Sequence, residues 1–343
     1  MHFKFSCEVA GLRDHLKGVA GAEFRFSSPM AAVVQVSKQH SDGQALTEPA
    51  NVVCGGTTTG EIEDEVCAAE IRSAMSRTLD GKWANFGGMD PNRSFLRDGA
   101  MDQFFEPLRV LMESTVNILR WRSGLAEGPN NPFRNRREFL SNDGNTWLEV
   151  GTLRSFYFVQ IPSPRQLATT EQFDNDVMEL VSNGTEEPLG HQLFREAWNQ
   201  RSLHPRSALV IGVAAAEVGL KKLVGALVPK AQWLMDEVQT PAFIKMIRNY
   251  LPLLPIKGKL KGKKLTPPSK LIRSLQVALE SRNKVAHAGG AAPCRDELEG
   301  MLRAVDDFLW ICDLYAGHLW AARYISSETH IAWENEEGPQ SPV

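Results

Sequence analysis

The sequence predicts two unlike halves, an α+β domain followed by an all-α helical bundle. Three observations carry this. Phe3, Phe5, Cys7 and Val9 alternate with other residues as a strand with one buried face does. From Thr169 onward strand signals stop, and apolar residues recur at spacings of three, four and seven. Between the halves, Pro162 and Pro164 punctuate the chain as a linker. A chain of 343 residues is long for one domain, so we set an α+β domain at 1–165, a helical domain at 169–326 and a polar tail at 327–343.

In the first half the opening strand is followed by β-branched segments at Val33, Val34 and Val36, then at Val52 and Val53. Two helices interrupt the strands. Residues 61–79 carry Ile62, Val66, Ile71 and Met75 at helical spacing, and residues 101–121 carry Phe104, Leu108, Leu111, Val116 and Leu119. Pro107 lacks the N–H that a helix interior uses, so the second helix starts either at 101 or near the proline. Trp147, Leu148 and Val150, then Phe156, Phe158 and Ile161, predict a closing pair of strands. Arg134, Arg136 and Arg137, followed by Glu138, read as a solvated loop.

In the second half the periodicity predicts helices over 172–180, 187–200, 207–227, 231–237, 241–251, 269–287 and 297–324. The last is the clearest, with Met301, Leu302, Val305, Phe308, Leu309, Cys312 and Leu319 on one stripe. The helix over 207–227 is apolar almost all round, which marks it as the centre of a bundle. Its Glu217 is either a partner for Arg282 or a side chain reaching solvent.

Composition narrows the function. With 43% hydrophobic and 23% charged residues the chain is an ordinary globular protein. Its longest apolar stretch, Ala208 to Ala216, is far short of the roughly 20 residues a membrane span needs, so no membrane is expected. The first residues alternate instead of running from a basic start into an apolar stretch, and read as a strand, not a signal peptide. Five cysteines, an odd number with no Cys-x2-Cys pair and no zinc-finger histidines, point to reduced thiols in a cytoplasm, with no metal and no cofactor. Cys67 and Cys312 fall on apolar helix faces. A net charge of −3 excludes a protein that coats nucleic acid by charge alone, so any RNA contact is local.

An Arg followed after four to six residues by a His occurs in two places, Arg282 to His287 and Arg323 to His330. The second runs off the last helix. The first closes one, because Ala288-Gly289-Gly290 supplies a stop and Pro293 follows. Asn283 and His287, four apart, lie about 40° apart around a helix axis, with Arg282 flanking them. These groups suit ribose chemistry: an imidazole carries a proton on or off a ribose oxygen, a guanidinium binds phosphate, and an amide orients either. The same three side chains can equally cap helix carbonyls and fix a turn. Lys257, Lys259, Lys261, Lys263 and Lys264 precede this helix as a cationic loop, fit either to hold an RNA backbone or to keep a connector solvated. His191 and His204 have no companions at ligand spacing.

The string Ser281-Arg282-Asn283-Lys284-Val285-Ala286-His287-Ala288-Gly289 is similar to the signature of HEPN domains. The segment Gly190-His191-Gln192-Leu193-Phe194-Arg195-Glu196-Ala197, the core helix bearing Glu217 and the long closing helix resemble the ApeA-like branch, over about 140 residues, from 186 to 325. The resemblance implies a metal-independent endoribonuclease, without cofactor, that acts on RNA in antiviral defence or a stress response. His287 is then the proton carrier, Arg282 the phosphate ligand and Asn283 their support, with two motifs facing each other across a homodimer. HEPN domains also serve as non-catalytic binding or dimerisation modules. By analogy with multidomain relatives, the N-terminal domain is where a regulatory protein or ligand is expected. Family toxins controlled by adenylylation carry a Tyr two residues after the His, and Gly289 stands there, which argues against that control.

Overall fold

β1 (His2–Val9) realises the predicted alternation: Phe3, Phe5, Cys7 and Val9 are buried, while His2, Lys4 and Ser6 are partly exposed. The computed structural model describes residues 2–9, 21–27, 30–39, 51–60, 102–126, 128–129, 131–141, 148–152, 171–237, 242–257 and 265–337. Its contacts divide the chain into a sheet unit, Met1–Ser123 with Asn131–Glu186, and a helical unit, Gly124–Asn130 with Glu187–Val343.

The sheet unit adds β2 (Gly21–Phe26), β3 (Ala32–Gln39), β4 (Asn51–Thr59), α1 (Asp102–Arg122), β5 (Phe133–Ser141), β6 (Leu148–Thr152) and α2 (Glu171–Ser182). The strands form one antiparallel sheet in the order β2-β3-β4-β1-β5-β6, so the first strand lies inside it. The register of β1 with β4 pairs Phe3 with Thr58, Phe5 with Gly56 and Cys7 with Cys54, all buried. α1 packs on these strands. Gly56 leaves no space for a Cβ because Met112 and Leu108 fill it, and Phe3 stacks on Phe104 with ring centres 4.1 Å apart.

Pro107 lies inside α1, five residues past its start, and does not begin the helix. An interior proline costs about 3 kcal/mol, but burying Phe105, Leu108, Leu111 and Met112 contributes roughly 1.5–3 kcal/mol for each side chain, and packing wins. The arginine run at Arg134, Arg136 and Arg137 is part of strand β5 and not a loop, because the backbone ladder to β1 does not depend on side-chain charge. Arg136 meets Glu113 of α1 at 3.0 Å. β6 pairs with β5; the segment around 156–161 expected to close the pair, the helix over 61–79 and Cys67 lie outside the described residues.

The periodicity of α2 predicts a helix of the bundle, yet α2 packs on α1 and β2. Phe173, Val177 and Val181, four apart, bury its inner face. The nearly fully buried Arg122 at the end of α1 donates to Asp176 at 2.7 and 3.1 Å and lies over the Phe173 ring. The long segment of the helical unit starts at Glu187, and 171–186 belongs to the sheet unit.

The helical unit holds α3 (Leu189–Gln200), α4 (Pro205–Leu227), α5 (Gln232–Glu237), α6 (Phe243–Asn249), α7 (Ser269–His287), α8 (Arg295–Ala316) and α9 (Ser327–Glu337). As predicted, α4 is central and packs on α3, α5, α7 and α8. Two glycines make this close: Leu309 of α8 fills the space where Cβ atoms of Gly190 and Gly219 would stand. α8 stops at Gly317, well short of the expected end at 324, because that glycine turns left-handed at φ 101° and His318 donates back to the Asp313 carbonyl. A 3-10 turn, Leu319–Tyr324, follows. The expected polar tail begins with a helix instead: Asp307 accepts from the Ser326 amide and hydroxyl and from Thr329, starting α9, and Trp333 donates to the Thr266 carbonyl at 2.6 Å. Among the described residues no helix is long and apolar enough to cross a membrane.

Candidate functional site

α7 runs over the predicted span. Pro267 and Pro268 precede it, and Glu336 of α9 accepts from the first amide, Ser269, at 2.8 and 3.1 Å. Its inward stripe is Leu271, Ile272, Leu275 and Ala278, all buried. Past Ala278 no side chain of α7 is fully buried: Leu279, Ser281, Arg282 and Val285 are half-buried, and Asn283, Lys284, Ala286 and His287 are exposed. Gly289, at φ 63°, turns the chain, and the Ala288 and Gly290 amides both donate to the Lys284 carbonyl. That is the predicted stop.

Arg282, Asn283 and His287 take different surroundings. Arg282 folds back on α4 and donates to Glu217 at 2.6 Å, each side chain about one-fifth exposed. Its Nε is buried without a hydrogen-bond partner among the described residues. Of the two readings of Glu217, the partner reading holds. Asn283 and His287 are exposed on the shared face. Arg282 lies about 140° from His287 around the helix axis, so in one chain the guanidinium and the imidazole point apart.

Lys257, the described residue of the lysine loop, is not beside this site. Lys257 is exposed, and its amide donates to the Tyr315 carbonyl near the end of α8. α7 and α8 pack together through a short connection at 288–294, which puts His287 near the other end of α8. Tyr315 lies about 30 Å along the axis from Arg295, the first residue of α8. Lys259, Lys261, Lys263 and Lys264 lie outside the described residues.

Nearer the motif, and unread in the sequence, the first turns of α8 carry a cationic cluster around Glu299. Arg295 approaches it at 3.0 Å, Arg201 at 3.4 Å and Arg303 at 3.9 Å, and Arg201 also covers the Trp198 ring. The Arg295 hydrogen bond, with Arg201 adding, holds the Glu299 carboxyl below the usual carboxylate range. The two pairs four residues apart are legible at helical spacing; Arg201 arrives only through the fold.

Two other polar groups, whose partners the sequence does not reveal, are structural. His191 is buried against Trp310 and shares a 2.9 Å hydrogen bond with Asp313. Arg195 and Glu187, each side chain 3% exposed, form a two-stranded ion pair, and the Arg195 Nε donates to the Leu125 carbonyl. At the alternative motif, Arg323 is exposed on the 3-10 turn and His330 bonds the Ala322 carbonyl, which ties it to the α9 turn. No three His, Cys, Asp or Glu side chains gather as metal ligands among the described residues. Comparison of the chain with family models, curated proteins and solved structures gives no match.

Proposed function

We propose that the helical unit is a HEPN-like domain of the ApeA-like kind that binds and cleaves RNA without a metal ion. The observation that carries this reading is the exposed pair Asn283 and His287 on one face of a helix end, with Arg282 anchored beside it. In the proposed step His287 takes the proton of a ribose 2′-hydroxyl, the 2′-oxygen attacks the adjacent phosphorus, and the 5′-oxygen of the next nucleotide leaves and is protonated. The products are a 2′,3′-cyclic phosphate and a free 5′-hydroxyl. Arg282 keeps donors beyond the one given to Glu217 and offers them to the phosphate; Asn283 orients the ribose. Because Arg282 and His287 diverge in one chain, a second copy completes the cleft in this reading. A defence or stress role, and control by a protein or ligand at the sheet unit, belong to the same proposal.

A second reading has its own support. The Arg282–Glu217 pair ties α7 to α4, and Val210 on α4 and Val277 on α7 are 37% and 49% exposed, as expected of a dimerisation face without catalysis.

Incubating the protein with mixed cellular RNA in excess chelator separates the two. The first reading expects cleavage that persists in chelator and is lost in His287→Ala. Cleavage that needs a divalent ion overturns the mechanism, and binding without cleavage supports the second reading. Light scattering at micromolar concentration reads the dimer, expected at twice the 38.1 kDa chain mass. The five lysines from Lys257 to Lys264 would clamp the RNA backbone. Neutralising them should lower the logarithmic salt slope of binding by roughly 0.7 for each phosphate no longer neutralised and leave the cleavage position unchanged.

A further inference from the structure

The buried face of the sheet holds a feature that the RNA reading does not use. Cys7 on β1 and Cys54 on β4 are direct register partners in the antiparallel pair. Both thiols are free and buried, 2% and 0% exposed, on the face covered by α1. The neighbouring Cys7 thiol, with burial, pushes the Cys54 thiol up. Opposed residues of an antiparallel pair have Cα atoms about 4.5–5.5 Å apart, inside the range of about 4.4–6.8 Å that a disulfide spans. The two strands are neighbours near the middle of the sheet.

We propose that Cys7 and Cys54 are an oxidation site, which hydrogen peroxide converts to a reversible cross-strand disulfide in the folded sheet unit. One sulfur attacks a peroxide oxygen as its thiolate, the O–O bond breaks, hydroxide leaves, and a sulfenic acid remains. The second sulfur attacks the first, the S–O bond breaks, and the S–S bond forms as water departs. Two thiols and one peroxide become one disulfide and two waters; the sulfurs lose two electrons and the peroxide gains them. Burial makes the first step slow, so the reaction proceeds through brief opening of the strand pair, for which a molecule the size of water is the fitting oxidant. The bond closes a loop through β2 and β3 and fastens β1 to β4.

The test uses the full chain with Cys294→Ser, which removes the thiol that is exposed among the described residues and would join two molecules. Protein treated with hydrogen peroxide under native conditions is alkylated, then digested by a protease that cuts after glutamate, since cuts after Glu8, Glu23 and Glu61 place Cys7, Cys54 and Cys67 on separate peptides. The expected result is a peptide joining Cys7 to Cys54 that dithiothreitol dissolves. The melting temperature should rise on the order of 5–10 °C with the bond, and Cys54→Ser should abolish both changes. The proposal is overturned if Cys7 and Cys54 stay separately alkylatable on later unfolding, if they go instead to sulfinic acids, or if the linked peptide forms only in denaturant.

Discussion

Two places in the helical unit use the same kinds of side chain to different ends. At the start of α3, Glu187, His191 and Arg195 are buried and matched to one another or to Asp313. At the end of α7, Arg282 is half-committed to Glu217, and Asn283 and His287 stand in solvent. Residue type does not separate the two places; burial and partners do. A buried charge must be matched where it stands, whereas an exposed one is free to meet something that arrives.

The comparison is open to breakage, and the largest effect is expected at the buried pair. Arg195→Ala leaves the Glu187 carboxylate unmatched in the core and should cost about 3–5 kcal/mol in urea-induced unfolding. The double change Glu187→Leu with Arg195→Met should recover most of that loss, because it removes both charges together. A failure to recover would mean that the pair specifies the packing of α3 as well as its charge balance.

Asp313→Ala comes next. It strips the His191 ring of its partner beneath Trp310 and should cost about 1–3 kcal/mol, with RNA cleavage by the folded protein at the wild-type level. Arg282→Ala, in a pair one-fifth exposed, should cost about 1 kcal/mol while cleavage falls about 10²-fold or more. A stability loss as large as that of Arg195 would move Arg282 into the structural group.

Glu299 gives a smaller effect with a definite sign. Its carboxyl is lowered on folding from the usual 4.5, chiefly by the Arg295 hydrogen bond. A carboxyl lowered in this way contributes stability that is complete above its unfolded value and is lost as pH falls through the lower folded one. Glu299→Gln should therefore cost under about 1 kcal/mol at pH 7, less in high salt, and nothing once the pH is below the folded value. A cost that persists in acid would point to packing in place of charge. The smallest stability change belongs to His287→Ala, within about 0.5 kcal/mol, against a cleavage loss of about 10²–10⁴-fold. Those opposite outcomes at His287 and Arg195 are the sharpest form of the comparison.

Local periodicity in the sequence determined much of this protein. The alternation of Phe3, Phe5, Cys7 and Val9, the span of α7 and its glycine stop, and the buried stripe of α8 through Leu302, Val305, Phe308, Leu309 and Cys312 were legible because each depends on residues a few positions apart. Contacts distant in sequence decided the rest. α2 reads as one more helix of the bundle, and only the fit of Phe173 and Asp176 to Arg122 assigns it to the sheet. The 327–337 segment looks polar and unstructured until Asp307 caps its start and Trp333 finds the Thr266 carbonyl. The sequence placed Arg282, Asn283 and His287 together on one helix end. The fold turned Arg282 to Glu217 and left the other two outward, set Lys257 at the far end of α8, and laid Cys7 against Cys54, since register and long-range packing are properties of paired elements that no single stretch of chain encodes.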